Sequence, residues 1–495
     1  MRKLLVALGL AALAFLSSCG NDRYTYNTPG NPSGGNNAGY SSSSLNGSYV
    51  FTASGVYANG ISFSTAGNFI ADGSGNVTSG VRDVYSDGGQ KVQEESLTGT
   101  YSVNEDGRGQ LQLKGASGAT IFRFVLHSAS EGVFFQYSGA ADATGRFVLR
   151  PAETSNAVRA SYTYVLRLDG EDSSGAPYGA VGLLNLTGND FVAGTFTGTV
   201  DQNDSGTYSA QLAASGTLTA PDTHGRGTAS ITIGSNTATY VFYWVSVNEI
   251  ELLRSDGTLQ YGSGYQQTAV SGSTAAFTGG QVFSLSGYLA SGNHTYPIAE
   301  TGYLSLNGSG TLASAVEDSN VGGNYTGNVS FSGTNTADAT GRWTATLSGA
   351  QSTNLVGYQV SASKSMVLSY NTGATILETG VLQAQTSGLT AASITGNYAV
   401  DLSGYSYYAP GNVESTANYL ADGAGNLSGT LDSQTPGFYN TDVSQTGVYS
   451  VSSSGRSTAT FGAVPAALYV VDATTAYILS SDGNRLYQGT MVKQQ

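Results

Sequence analysis

The chain has 495 residues, of which 68 are Gly, 9 are Pro and one is Cys, and its 19 Lys and Arg against 33 Asp and Glu give a net charge of −14. These figures exclude a collagen or proline-rich fibre and a disulfide framework, and an acidic surface repels phosphate backbones, so nucleic acid is not a partner. With 40% hydrophobic residues, 32 Tyr and 17 Phe, there is apolar surface for several cores, and length alone suggests three or four domains of roughly 150 residues.

The N-terminus carries Arg2 and Lys3, an apolar run from Leu4 to Leu16, and then small residues up to Cys19. Thirteen apolar residues behind a basic start form a signal-peptide layout and are short for a membrane-spanning helix. Leu16-Ser17-Ser18-Cys19 resembles the lipobox of bacterial lipoproteins. The resemblance implies cleavage after residue 18, a diacylglycerol thioether on Cys19, acylation of the new amino terminus, and membrane lipid as a partner. Gly20, in place of Asp, is similar to the pattern for export to the outer membrane. Residues 19–44 then form an acylated Cys and a Gly, Asn and Ser tether without hydrophobic periodicity, with a span on the order of 25 to 30 Å.

Beyond the tether one set of landmarks recurs four times. A small residue, a strand-like run and a Gly begin at Gly47, Ala160, Gly279 and Gly396. An acid follows at Asp83, Asp201, Asp318 and Asp432, then a hydroxyl-Gly pair, then an Arg after Gly at Arg108, Arg226, Arg342 and Arg456. The separation from acid to Arg is 25, 25, 24 and 24 residues. The chain therefore divides into a signal peptide (1–18), the tether (19–44) and four units at 45–156, 157–272, 273–391 and 392–495.

Within the first unit, runs such as SYVFTASG, TIFRFVLHS and GVFFQYSG alternate with DGSGN, SDGG and NEDGRG. Short β-branched and aromatic runs separated by Gly, Asn and Asp turns are hairpin chemistry. The expected fold is all-β, with four tandem antiparallel meanders of about eight strands, each closing into an up-and-down barrel; β-sandwiches are the alternative. The single-unit pattern resembles small lipocalin-type or avidin-type barrels, without a motif specific to either. TYVFYWVSV at 239–247 is apolar on both faces, so such strands are expected to lie against a neighbouring unit or to fill a narrow barrel and pack outward. A membrane-spanning barrel needs a continuous lipid-facing apolar band, which these Ser, Thr and Gly-rich strands lack.

Candidate chemistry is sparse. The recurring acid and Arg are expected to meet inside each unit as a partly buried ion pair: Asp83 with Arg108, Asp201 with Arg226, Asp318 with Arg342 and Asp432 with Arg456. Asp72, Ser74, Asn76 and Asp83 stand at calcium-hand spacing, but Val77 replaces the Gly of such loops and a β-turn explains the pattern. His127, His224 and His294 lie at unrelated repeat positions, and no G-x-S-x-G elbow occurs. Tyr405, Tyr407 and Tyr408 form a cluster suited to stacking on sugars. The reading is a non-enzymatic lipoprotein of the cell envelope, without cofactor, metal or catalytic residues, with an envelope or extracellular partner. Its alternative is a binding protein holding a small apolar or saccharide ligand in one or more barrels.

Overall fold

The computed structural model describes residues 38–87, 89–137, 141–152, 162–187, 194–291, 294–371, 375–408, 410–435, 438–452 and 456–495. Cys19 and the leader lie outside these. Among the described residues the only helices are two 3-10 turns, Ser42–Ser44 and Ala391–Ser393; the rest of the regular structure is antiparallel strand. The first unit runs through eight strands from Asn46–Tyr57 to Ala141–Arg150 and closes on itself, with Ser48 opposite Arg150 and Tyr57 opposite Ala141. The second does the same from Tyr162–Glu171 to Gln260–Gln266.

In the third and fourth units the first and last strands also pair, but the sheet is open elsewhere. The fourth strand of unit three is split at Phe331 into Asn324–Ser330 and Ser332–Ala337, and its two pieces bond to opposite neighbours. Phe331 turns into the core there, and a single bridge, Thr311 to Thr334, joins the edges. In unit four a single bridge, Tyr449 to Ala459, joins the edges, flanked by bonds from the Ser450 N–H to Thr458 at 2.8 Å and the Gly462 N–H to Thr446 at 3.1 Å. Two units are thus closed barrels and two are curled sheets of the same meander, not sandwiches.

Alternation decides which residues fill them. In the first strand Tyr49, Phe51 and Ala53 point inward while Val50 points out. The interiors are filled by rings: Tyr49 stacks on Phe69 at 5.3 Å, and Phe124 meets Phe147 edge-on at 5.6 Å. Strand glycines make the sockets for these rings. A Cβ at Gly109 would lie 2.3 Å from Phe124, and one at Gly227 would lie 2.3 Å from Phe242. That use, with the turns, accounts for much of the glycine excess. Each fully buried aromatic stabilises by about 1.5–3 kcal/mol.

The outward residues join the units into a ring. Val50, Ala66, Val81 and Tyr85 of unit one pack on Val241, Tyr243, Val245 and Leu253 of unit two. The 239–247 run therefore does both things expected of it, with Tyr240, Phe242 and Trp244 inside barrel two and the alternate residues against unit one. Val165, Val181 and Leu183 pack in the same way on Val356, Tyr358, Met366 and Leu368, and Val282 on Ala467, Tyr469 and Val471. The first two strands of unit four, Thr395–Ser406 and Gly411–Asp422, return to the first unit and contact Gly118–Ser128 and Glu131–Gln136.

A residue leaving each unit also bonds to backbone of the next. Gln267 donates to the carbonyls of Thr340 and Gln359 at 3.0 and 2.8 Å, and Gln385 donates to Val470 at 2.6 Å. Gln494 donates to Asp106 and Leu126 at 3.0 and 2.8 Å, while the Gln495 N–H reaches the His127 carbonyl at 2.9 Å. In unit one Arg150 has this role toward Thr223. The last residues of the chain thereby close the ring onto unit one.

Candidate functional site

The recurring Asp and Arg do form ion pairs, but between units. Arg226 grips Asp83 of the preceding unit through Nε and Nη2 at 2.8 and 3.0 Å. Arg342 holds Asp201 at 2.9 and 2.8 Å, and Arg456 holds Asp318 at 2.6 and 2.8 Å. Arg108 completes the circle by donating to Asp432 at 2.9 Å across 324 residues of chain. The expectation of pairing inside each unit is corrected accordingly. The Asp side chain projects outward from the third strand, into the seam where the next unit's fifth strand presents its Arg.

Further groups converge on these Asp residues, a backbone N–H at all four and a tyrosine of the next unit at three. A tyrosine of the next unit donates its hydroxyl at three junctions: Tyr243 to Asp83, Tyr358 to Asp201 and Tyr469 to Asp318. In the fourth strand of the Asp's own unit, Glu94, Gln211, Asn328 and Asp442 adopt φ of 52, 50, 58 and 57°. This left-handed backbone is uncommon for non-glycine residues. Each donates its N–H to the repeat Asp, at 3.2, 3.3, 3.0 and 2.8 Å respectively. The Asp thus anchors a bulge in its own barrel and an Arg from the next.

Burial opposes the charge at these sites, and partners decide the balance. At Asp201, hydrogen bonds from Arg342, Tyr208 and Tyr358 outweigh burial and hold the carboxyl below its ordinary value. At Asp432 burial prevails over Arg108, and the carboxyl lies above its ordinary value. Val125 stands there opposite Arg108, where the other three junctions have Tyr. Arg108, 1% exposed, divides its fork among Asp432, Asp442 and Asp106.

The other sequence candidates are spent locally. Asp72 accepts the N–H groups of Ser74 and Asn76 at 2.7 and 3.0 Å and the Asn76 side chain at 2.7 Å, a hairpin turn; Asp83 is at the junction instead. His127 is buried, with Nδ1 4.0 Å from Glu131, and burial lowers its pKa. His224 lies in a turn capped by Asp222, and the His294 side chain falls outside the described residues. Tyr405 and Tyr407 meet at a tilt, with ring centroids 4.8 Å apart, while Tyr408 is 64% exposed beneath Arg485. Trp244 and Trp343 are core residues.

Two features escaped the sequence reading. The first is a pair of adjoining chambers on the ring axis, of about 950 and 450 Å³. The larger is lined by all four units, and both share Ser54, Arg167, Asp169, Tyr261, Asp401 and Ser403. These residues lie on or beside the first strands, at T-A-S-G, R-L-D-G, S-L-S-G and D-L-S-G, residues 52–55, 167–170, 284–287 and 401–404. Because the barrel interiors are filled, the space for a ligand lies between barrels.

The second is a carboxyl cluster inside unit three. Glu300, Glu317 and Glu378 are 1, 2 and 0% exposed. Ser352 donates to Glu378 at 2.6 Å, and the Gln351 N–H donates to Glu317 at 2.6 Å. Glu300 Oε2 and Glu378 Oε1 have no partner. Burial, reinforced by repulsion from Glu317 at Glu378, from Asp318 at Glu317 and from both Glu378 and Glu317 at Glu300, pushes Glu378 up to about 8 and Glu317 up to about 7, and Glu300 well above its ordinary value. Glu300 and Glu378 each sit in an E-T-G run at an inward strand position, the one signal that marks them.

No protein-family model and no curated protein matches the chain. Among solved structures it is similar to transferrin binding protein B of Haemophilus parasuis Hp5, at 10% identity over 74% of this chain and 84% of that one, with a TM-score of 0.17. The isotype 1 protein of serogroup B Neisseria meningitidis matches at 10% identity over 72% and 82%, with a TM-score of 0.19. Intact Ap-TbpB, N and C lobes, matches at 9% over 74% and 84%, with a TM-score of 0.18. At these scores the likeness carries no inference about partners.

Proposed function

We propose that the protein is a lipid-tethered, non-catalytic component of the cell envelope whose four-unit ring serves as a rigid interaction platform, meeting an envelope or extracellular partner. The observation that carries this reading is the use made of the recurring polar residues: all four Asp and all four Arg hold the units to one another. Repetition here builds a body instead of repeating a reactive centre. The lipobox supplies its attachment through Cys19, with the tether letting the ring stand off the bilayer. Each buried methylene of an acyl chain adds about 0.8 kcal/mol, so several chains anchor durably.

Cys19→Ser tests the attachment. Wild-type protein is expected to take up labelled palmitate and sediment with outer membranes, whereas the variant takes up none and appears in the soluble fraction. A wild-type protein that is unlabelled and soluble refutes the reading.

A further inference from the structure

We propose that the two axial chambers form one binding site for an elongated organic cation bearing several amines, of the polyamine class. This goes beyond the platform reading and does not depend on the membrane tether.

Three observations converge. Arg167 of the larger chamber is committed to Asp169, with Nε at 2.8 Å from Oδ2, which leaves Glu171 and Asp401 of the same lining without a basic partner. Asp401 accepts a bond from Thr490, and the base that acts on it is His127, whose own pKa burial lowers. Glu171 meets Asp87 across the seam between units one and two, where burial and this second carboxyl, to which it is hydrogen-bonded, push it up to about 7. At the far end Arg146 is shared by Glu131, Glu249 and Glu251, with Lys364 nearby over the Tyr265 ring. Acids thus outnumber bases along both chambers, and among the described residues no three of them gather as a metal site.

Aromatic faces accompany the acids. Tyr178, Tyr261, Tyr288 and Tyr477 line the larger chamber, and Tyr288 is 48% exposed. Acid paired with tyrosine face is the chemistry that receives an alkylammonium, through charge and cation–π attraction. Two buried hydroxyls also wait for partners: Ser64 in the larger chamber and Thr416 in the smaller are each 1% exposed, and neither oxygen makes a hydrogen bond. The chambers, of about 950 and 450 Å³, each lie in the range of ligand sites.

The charges also break the repeat. Asp169 occupies a position that is Ser54, Ser286 and Ser403 in the other units, and Arg167 and Asp401 replace Thr52 and Ser284. A residue required for packing the ring would recur, as the junction Asp and Arg do. These do not.

Spermidine titrated calorimetrically into the full-length, detergent-solubilised protein tests the proposal. Saturable binding at one site is expected, weakened at least tenfold in Glu171→Gln and in Asp401→Asn, and unchanged in Glu105→Gln, which removes an exposed acid elsewhere. Melting curves of the amide variants confirm that they are folded. No saturable heat from spermidine, equal weakening in Glu105→Gln, or saturable binding of calcium or a neutral tetrasaccharide with spermidine silent would each overturn it.

Discussion

Arg226→Met is expected to destabilise the protein by about 3–5 kcal/mol, the loss that follows when one partner of a buried ion pair is removed. Asp83 is 0% exposed, and without the guanidinium its charge is left with only the Tyr243 hydroxyl and the Glu94 N–H. The third contact of Arg226, to Glu94, adds little because that carboxylate is 66% exposed. The double variant Asp83→Asn, Arg226→Met removes both charges and keeps an oxygen for the Glu94 N–H. It is therefore expected to regain most of the loss. Chemical unfolding of the wild type, both single variants and the double variant measures the coupling directly. A cost below about 1 kcal/mol for Arg226→Met would mean that the seam is held by its apolar contacts alone.

Stability is expected to fall between about pH 5 and pH 8, and Glu378→Gln is expected to flatten that fall. Glu378 and Glu317 have folded-state pKa values of about 8 and about 7, above those of an unfolded glutamate. The folded state therefore binds more protons than the unfolded state through this window. Stability is fully present below the unfolded pKa and is lost as pH rises through the folded one. At 1.36 kcal/mol per pKa unit, the rise from 4.5 to about 8 makes Glu378 alone account for about 5 kcal/mol. Glutamine keeps the shape, accepts from Ser352 and carries no charge at any pH. Melting temperatures of wild type and Glu378→Gln should be close at pH 5 and diverge in favour of the variant at pH 8. Parallel curves for the two proteins would place the titration elsewhere.

The meander was legible because its signals are local. Inward Tyr49 and Phe51 alternating with outward Val50 and Thr52 have period two, and the Asp72 and Asp422 turns announce hairpins in the letters D-G-S-G-N and D-G-A-G-N. The outward apolar face of 239–247 correctly pointed to a neighbouring unit. The partner of each Asp was not legible. In four equal copies the Asp of one unit keeps a nearly fixed spacing both to its own Arg and to the next unit's, and only the seam geometry separates the two. The open edges at Phe331 and Tyr449 depend on where a ladder changes partner, which leaves no mark in composition. The axial site and the unit-three cluster were hidden for a common reason. Arg167 and Asp401, like Glu300 and Glu378, are far apart in sequence and come together only when sheets curl and units close.

Closure of the ring between unit four and unit one is the central structural claim, since no covalent linker enforces it. Tyr137 and Tyr439 meet across that seam with ring centroids 5.0 Å apart. The decisive measurement is the distance between spin labels at Cys residues placed at 137 and 439, in a chain whose Cys19 is replaced by Ser. A closed ring predicts one narrow distribution at the short limit of the method. A broad distribution at long distance would show four barrels strung on a line, and would contradict the account.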